Sequence, residues 1–553
     1  MSVGVARVAL VLSGAAALGP YEGGAVYEIL SALTQSRRRG MGQPPLIPDA
    51  LIGTSAGALT AALAAHCLVN GAPLETIHDA WVKGASAARL SGSARGRRRS
   101  VLSGAAMGAL VRDWLRPTAP GAVPMADWPL RFVATLTNLD GIRYRFGTSG
   151  DPPTVETVTH EDFKVYDLDP RRPYDEAVWS GIARAAAASA AFPVGFEPVR
   201  VDHGRDELDR SVPGRHLDDG RRQFWCTDGG VLEGMPLGRA IDAVADLDSP
   251  GAADPAGAAS PVANSGVTRE FIVIEPGDPG DQSAGPPGPD GYSPVAVLSK
   301  LATIPISEQI SRDLTRFEKT NQRLTALAEA WDDWAAVIAR LGEPEALAAL
   351  ADLSARTRRL WPDLDGVVDG LAGEQDAGGW PLSLSARSPA HRRLFLLLRL
   401  RLEGAAGLFG KRRYQLHHLS PEQAADLAGG FWGHFGGLFD ERFREHDFRV
   451  GRRVARDWLR RRGIEYEPGP EADYEVVALH PRGWPDLSWS GRWQSLKVAG
   501  NAVDLVLDQL SGAGWAAILG GSAVAAYRGL TFPLRRVAAV KTFRRAPGPT
   551  KDS

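Results

Sequence analysis

The stretch "IGTSAGAL", residues 52–59, carries the pattern G-x-S-x-G on Gly53, Ser55 and Gly57. The preceding "PDALIG" has the composition of a short buried strand, and the following "ALTAALAAHCLV" that of an apolar helix. Strand, tight turn and helix together form the setting in which a nucleophilic serine is displayed. The two glycines allow the sharp turn and close helix packing, and the helix dipole at Ser55 favours developing negative charge.

The motif alone is weak, because a chain with 62 glycines contains such patterns by chance. A plain turn of small residues is the alternative interpretation. A serine hydroxyl becomes a useful nucleophile only when a base takes its proton and when donors stabilise the oxyanion formed on the substrate. The rest of the sequence must therefore supply both partners.

Composition indicates a globular chain with little charge bias. Its 553 residues are 44% hydrophobic with a net charge of −2, which favours two or three domains and gives no electrostatic reason to expect nucleic acid as a partner. Cys67 and Cys226 are too few for a disulfide framework or a cysteine-rich zinc site, and they favour a reducing, cytoplasmic location. No run reaches the roughly 18 apolar residues of a spanning helix, so any membrane contact is expected to be peripheral.

The chain divides into two regions by pattern. Residues 1–280 alternate apolar strand-like runs, beginning with "VARVALVLSG", and helical stretches; this predicts an α/β domain with a mostly parallel sheet covered on both faces. Residues 281–292 are predicted to be a linker, and residues 293–553 a mostly helical region. Within that region the periodicity predicts helices over 306–341, 390–409, 420–435 and 447–463, and a loop over 362–388.

Two further stretches supply candidate partners for Ser55. None of the 11 histidines stands in a distinctive motif, although a Ser-His-Asp triad of the ordinary α/β-hydrolase kind stays open. "CTDGGVLEGMP", residues 226–236, puts Asp228 at the end of an apolar strand, where α/β sites form. "LSGAAALGPYEGG", residues 12–24, is a strand, a turn of small residues and a helix, which would aim backbone N–H groups into a cavity.

These pieces, in this order, resemble the patatin-like phospholipase family. The glycine-rich loop of the family corresponds to residues 12–24 and its nucleophile turn to residues 52–59. "AAAASAAFPVGFEPV" at 185–199 corresponds to a small-residue helix before a Phe-Pro turn, and "TDGGVLEGMPL" at 227–237 to the segment with the catalytic aspartate. The resemblance covers about the first 280 residues and implies a patatin-like three-layer α/β fold followed by the helical region.

The resemblance also implies a reaction. Ser55 would attack an acyl ester and Asp228 would act as general base, with no metal, no cofactor and no catalytic histidine. The implied substrate is a phospholipid or a related acyl ester met at a membrane surface, and nothing indicates a protein partner. The backbone donors of the oxyanion hole would be Gly14, Ala15, Ala16 and Ala56. The turns around the site would be shaped by Gly53, Gly57 and Gly229.

One departure from the family pattern puts the activity in question. The family loop usually reads G-G-G-x-[KR]-G, whereas residues 14–19 read G-A-A-A-L-G, without the basic side chain. Because alanine resists positive φ, this loop is expected to keep to conformations that L-residues tolerate. The alternative hypothesis is therefore a catalytically weak patatin-fold binding or scaffold protein.

The segment "GHFGGLFDERFREHDFRVGRRVARDWL", residues 433–459, is similar to one that follows the patatin domain in a set of long bacterial patatin-related proteins. Its apolar faces are expected to pack against the α/β domain. The alternatives are that they touch lipid or cover the active-site mouth.

Overall fold

The computed structural model covers both regions of the chain, and the predicted linker 281–292 lies outside the residues that it describes. The described residues are 6–38, 46–91, 99–147, 154–172, 174–210, 215–248, 268–277, 294–359, 363–378, 380–406, 408, 413–422, 426–430, 434–467 and 484–512.

The centre of the protein is a mixed sheet with the strand order β5-β7-β3-β2-β1-β8-β9, in which β4 and β6 also pair with β3. The strands are β1 (Ala6–Leu12), β2 (Leu46–Gly53), β3 (Leu130–Gly147), β4 (Thr154–Leu168), β5 (Val199–Asp202), β6 (Arg215–His216), β7 (Gln223–Asp228), β8 (Thr268–Ile274) and β9 (Gln415–Leu419). The neighbours from β3 through β2, β1 and β8 to β9 are parallel, and the other pairs are antiparallel. The predicted fold class is confirmed.

Helices cover both faces of this sheet. The α-helices that the structure describes are α1 (Gly19–Arg38), α2 (Ala56–Asn70), α3 (Glu75–His78), α4 (Ala87–Leu90), α5 (Gly104–Trp114), α6 (Glu176–Ser189), α7 (Arg205–Arg210), α8 (Leu237–Asp248), α9 (Pro294–Ala339), α10 (Glu343–Thr357), α11 (Leu364–Gly378), α12 (Pro389–Ala405), α13 (Glu441–Arg461) and α14 (Trp489–Gly512). A π-helical turn spans Asp79–Gly84, and 3₁₀ turns span Ala16–Leu18 and Gly436–Phe439.

Alternate side chains of each central strand enter different cores. Leu10 of β1 packs in the larger core, beneath α1, α2, α6 and α13. Val11, its neighbour, faces the opposite way, into the core that α8 closes together with Phe317 of α9. A third apolar cluster, around Leu396, joins α9 to α12. This period of two along a strand is what a sheet buried on both faces requires.

The length of β3 positions the candidate site. Gly53, the last residue of β2, pairs with Ala134 of β3. Beyond that point β2 has ended and β7 pairs with β3 instead, which sets Asp228 opposite Leu136. The two motifs, distant in sequence, therefore meet two residues apart along one strand.

The second region of the chain shares the sheet and the larger core with the first. Strand β9 pairs in parallel with β8, and α13 crosses α1 so closely that a Cβ built on Gly24 would lie 1.9 Å from the carbonyl oxygen of Phe448. Gly451 of α13 makes the same approach to the oxygen of Tyr21. The division near residue 280 stays a prediction from pattern; in space, helix α13 covers helix α1.

Two predictions about the second region are wrong. The segment 362–388 contains helix α11 rather than only a loop, because its apolar residues pack into the third cluster. Residues 426–430, predicted to be helical, form a turn, since the amides of Ala428 and Gly429 donate to the buried carboxylate of Asp447. Of the helices within the described ranges, none is both long and apolar enough to cross a bilayer.

Candidate active site

Ser55 lies at the turn between β2 and α2 in a strained conformation. Its φ is 55° and its ψ is −123°, values that L-residues rarely adopt and that are typical of serines held at a functional turn. A Cβ on Gly53 would lie 2.4 Å from the carbonyl carbon of Gly57, and one on Gly57 would lie 2.5 Å from the oxygen of Leu12. At both motif glycines a side chain would therefore collide with the backbone.

The structure brings Ser55 and Asp228 together. The Ser55 hydroxyl donates to Oδ2 of Asp228 at 2.6 Å, and both side chains are buried. The other carboxylate oxygen of Asp228 accepts the N–H of Gly230 at 2.7 Å. A Cβ on Gly229 would lie 2.3 Å from Oγ1 of Thr135, so glycine is needed for this turn to approach β3.

Burial governs the electrostatics of this pair. Desolvation raises the pKa of Asp228 to about 6, and the hydrogen bonds from Ser55 and Gly230 limit the rise. No histidine of the described residues hydrogen-bonds to either side chain; His66 of α2 bonds to Asn70 instead, and burial lowers its pKa to about 4. The geometry offers a carboxylate, not an imidazole, as the acceptor for the serine proton.

Two residues that the sequence did not single out hold the turn. The amide of Ser55 donates to Oγ of Ser189 at 2.9 Å, which fixes the strained residue to the end of α6. Thr54 Oγ1 lies 2.7 Å from Oγ1 of Thr135 and donates to the carbonyl of Glu233 at 2.9 Å, which ties the serine turn to the aspartate loop. A small polar residue beside a motif carries no sequence signal of such a long-range contact.

The predicted oxyanion loop differs from expectation in two respects. The N–H of Gly14 already donates to the carbonyl of Gly234 at 2.7 Å, so it is not available to a substrate. Ala16 adopts a φ of 47°, which corrects the expectation that this loop avoids positive φ. No hydrogen bond to another described residue occupies the amides of Ala15, Ala16 or Ala56.

Leu18, where the family has a basic residue, is buried. Its side chain is 2% exposed and packs close to Gly429 of the second region. A cation here would be buried, so the loss of the basic residue and the covering of the loop go together.

An apolar cavity of about 60 Å³ opens beside Ser55. Ala16 and Ala56 lie at the serine, and the rest of the wall is aliphatic and aromatic, including Leu59, Trp81, Met107, Leu110, Trp114 and Phe196. Such a lining suits a hydrocarbon chain whose ester group reaches the serine.

Comparisons with known proteins agree with this site. Residues 10–241 match the family described as patatin-like phospholipase. Over 204 residues the chain is also 30% identical to "Uncharacterized membrane protein Rv3479" of Mycobacterium tuberculosis (strain ATCC 25618 / H37Rv), an alignment that covers 34% of this chain and 19% of that relative. The match therefore spans only about a fifth of the relative's length. The segment 10–241, whose serine turn and aspartate loop meet beside β3, belongs to the patatin-like phospholipase family.

Proposed function

We propose that the protein is a serine lipid acyl hydrolase, of the phospholipase A type or a related carboxylester hydrolase, that uses Ser55 as nucleophile and Asp228 as general base. The observation that carries the proposal is the hydrogen bond of 2.6 Å between these side chains at the end of an apolar cavity. Family membership supports lipid acyl hydrolysis in general terms. The dyad and the substrate class are the finer steps that we infer.

The proposed reaction has two halves. Ser55 Oγ attacks the ester carbonyl carbon while its proton passes to Asp228, and the carbonyl oxygen becomes an oxyanion. The proton then goes to the departing alcohol, which leaves an acyl-serine. Water attacks this acyl group, Asp228 takes a proton from the water and returns one to Ser55, and the fatty acid is released.

The oxyanion would be stabilised by backbone N–H groups. Ala56 stands at the N-terminus of α2, where the helix dipole adds to its N–H, and Ala15 and Ala16 lie in the loop beside it. Gly14 is left out of this set because its amide is paired within the chain. The loss of one N–H donor from an oxyanion hole lowers kcat by about 10²–10³. We therefore expect modest turnover.

The environment of Asp228 suits a base at neutral pH. A carboxyl with a pKa of about 6 is mostly ionised at pH 7 and still takes a proton more readily than one with an ordinary pKa.

We further propose a reducing cytoplasmic location, since both cysteines are free and buried, and peripheral contact with membranes, where lipid substrates reside. The mycobacterial relative is named as a membrane protein.

Labelling with a fluorophosphonate probe tests the nucleophile. Wild type should be labelled, Ser55→Ala should not, and Ser31→Ala, a helix α1 serine that bonds to the backbone of Tyr27, should be labelled as wild type. Lipid extraction and mass spectrometry after incubation with mixed phospholipids should then detect fatty acid released by wild type only. Equal labelling of wild type and Ser55→Ala, or none of either, would count against Ser55 as the nucleophile of an enzyme.

A further inference from the structure

Part of the apolar cavity is built by a segment outside the family match. Phe435 and Leu438, from the second region, line the cavity together with side chains of the α/β domain. Phe435 packs edge to face on Phe192, with 5.2 Å between ring centroids. Leu438 is buried at 8% exposure. The second region is therefore in contact with the space that the substrate chain would occupy.

This segment is held firmly against the domain. Arg444 of α13 donates from Nε to the carbonyl of Val82 at 2.7 Å and from Nη1 to the carbonyl of Gly437 at 2.8 Å. The first acceptor lies in the π-helical turn that carries Trp81, which also lines the cavity, and the second lies next to Leu438. Burial lowers the pKa of Arg444 to about 10, which leaves the guanidinium charged at neutral pH. One buried side chain thus links two segments that line the cavity.

The close backbone approach adds to this attachment. A Cβ on Gly437 would lie 2.9 Å from the carbonyl oxygen of Ala17, so the turn rests directly on the loop beside Ser55. Asp447 holds the preceding turn through two backbone amides at 2.6 and 2.9 Å. A wall fixed in this way has a defined distance from the nucleophile, and the size of its side chains then limits the bound chain.

We propose that Phe435 and Leu438 determine the length and bulk of the acyl chain that the cavity accepts. The inference rests on the proposed acyl hydrolase function and assigns its chain selectivity to the second region. One methylene that fits or fails to fit an apolar pocket changes discrimination by about tenfold or more. A larger residue at either position shortens the best chain, and a smaller one admits longer or branched chains.

Hydrolysis of p-nitrophenyl esters from acetate to palmitate tests the proposal in three variants. Leu438→Trp should lower kcat/KM for the longest esters by about tenfold or more while acetate changes little. Phe435→Ala should move the optimum to longer chains. The matched control is Phe439→Ala, since Phe439 is buried in the same 3₁₀ turn but does not line the cavity, and it should keep the wild-type profile.

A binding measurement separates this inference from the proposed function. In the Ser55→Ala background, saturated fatty acids of increasing length are used to displace a fluorescent fatty acid. This measures the chain-length preference of binding in the cavity without any turnover. No hydrolysis by wild type, with a length preference that shifts in Leu438→Trp, would overturn only the hydrolase function. Hydrolysis with the same length profile in all variants, and unchanged displacement, would overturn the inference. If Leu438→Trp does not fold, Phe435→Trp at the half-buried position makes the same test.

Discussion

Ser55 and Asp228 are joined by a hydrogen bond of 2.6 Å although 173 positions separate them in the chain. Because the base must be ionised to accept the serine proton, and burial raises the pKa of Asp228 to about 6, activity should fall as the pH drops through that value. We expect kcat/KM for a short ester to rise from pH 5 to pH 7 with a single limb near pH 6. A pH–rate profile measures the position of this limb.

A second buried carboxyl provides the control for this profile. Burial raises the pKa of Glu233 to about 7, while the charge of Arg239 opposes the rise. Glu233→Gln should leave the limb where it is, since only the backbone of Glu233 contacts the serine turn. If the limb disappears in Glu233→Gln, the group that titrates is Glu233 and not Asp228, which would contradict Asp228 as the base.

The same burial predicts a gain of stability in an inactive variant. A carboxyl whose pKa is higher in the folded than in the unfolded state stabilises the fold at low pH, and this contribution is lost as the pH rises through about 6. Asp228→Asn carries no charge to bury, so its free energy of unfolding at pH 8 should exceed that of wild type by about 2 kcal/mol. Denaturant unfolding at pH 8 and at pH 4 checks this, because the difference should shrink at the lower pH.

Ser189 should affect catalysis through the conformation of Ser55. Ser189→Ala leaves the Ser55 amide without its acceptor, which should cost about 1–3 kcal/mol of stability for a buried donor. Loss of the fixed turn should also lower kcat by between about tenfold and a hundredfold, since small displacements of a nucleophile are costly. Ser180→Ala, on the same helix, is the matched control and should retain wild-type kcat. An unchanged kcat in Ser189→Ala would mean that the turn keeps its shape without this contact.

Glu28 should be one of the residues that bind the two regions together. Its buried carboxylate accepts hydrogen bonds from Arg452 at 2.7 Å, Arg456 at 3.1 Å and Tyr466 at 2.6 Å. Glu28→Gln removes the charge that faces two guanidinium groups, so unfolding free energy should fall by about 3–5 kcal/mol. Glu441→Gln, at the exposed start of α13, should change it by less than about 1 kcal/mol. Similar effects of the two variants would contradict this role.

Local chemistry explains what could be predicted from the sequence. Gly53, Ser55, Gly57 and Asp228 stand in short motifs whose backbone requirements can be read from the sequence, and in the structure Ser55 and Asp228 lie within hydrogen-bonding distance. The α/β fold followed from strands alternating with helices. Ala16 was harder, because it has a positive φ although alanine disfavours this conformation.

Tertiary contacts determine the features that could not be predicted from the sequence. Ser189, Phe435 and Leu438 lie in stretches that resemble family segments, but nothing in those stretches indicates their roles, which depend on elements folded together from distant parts of the chain. Helix α11 was missed because its sequence is rich in glycine and aspartate, although Leu364 and Val368 repeat at helical spacing and are buried. A segment with a loop-like composition can form a helix when its apolar face packs against another element.

Strand β9 has a consequence for any attempt to produce the α/β segment alone. It occupies the outer edge of β8, and the first 280 residues would end with that edge open and with the crossing face of α1 uncovered. An unpaired edge recruits the strands of neighbouring molecules. Truncated preparations should therefore self-associate, and inactivity in such material would reflect aggregation and carry no information about chemistry.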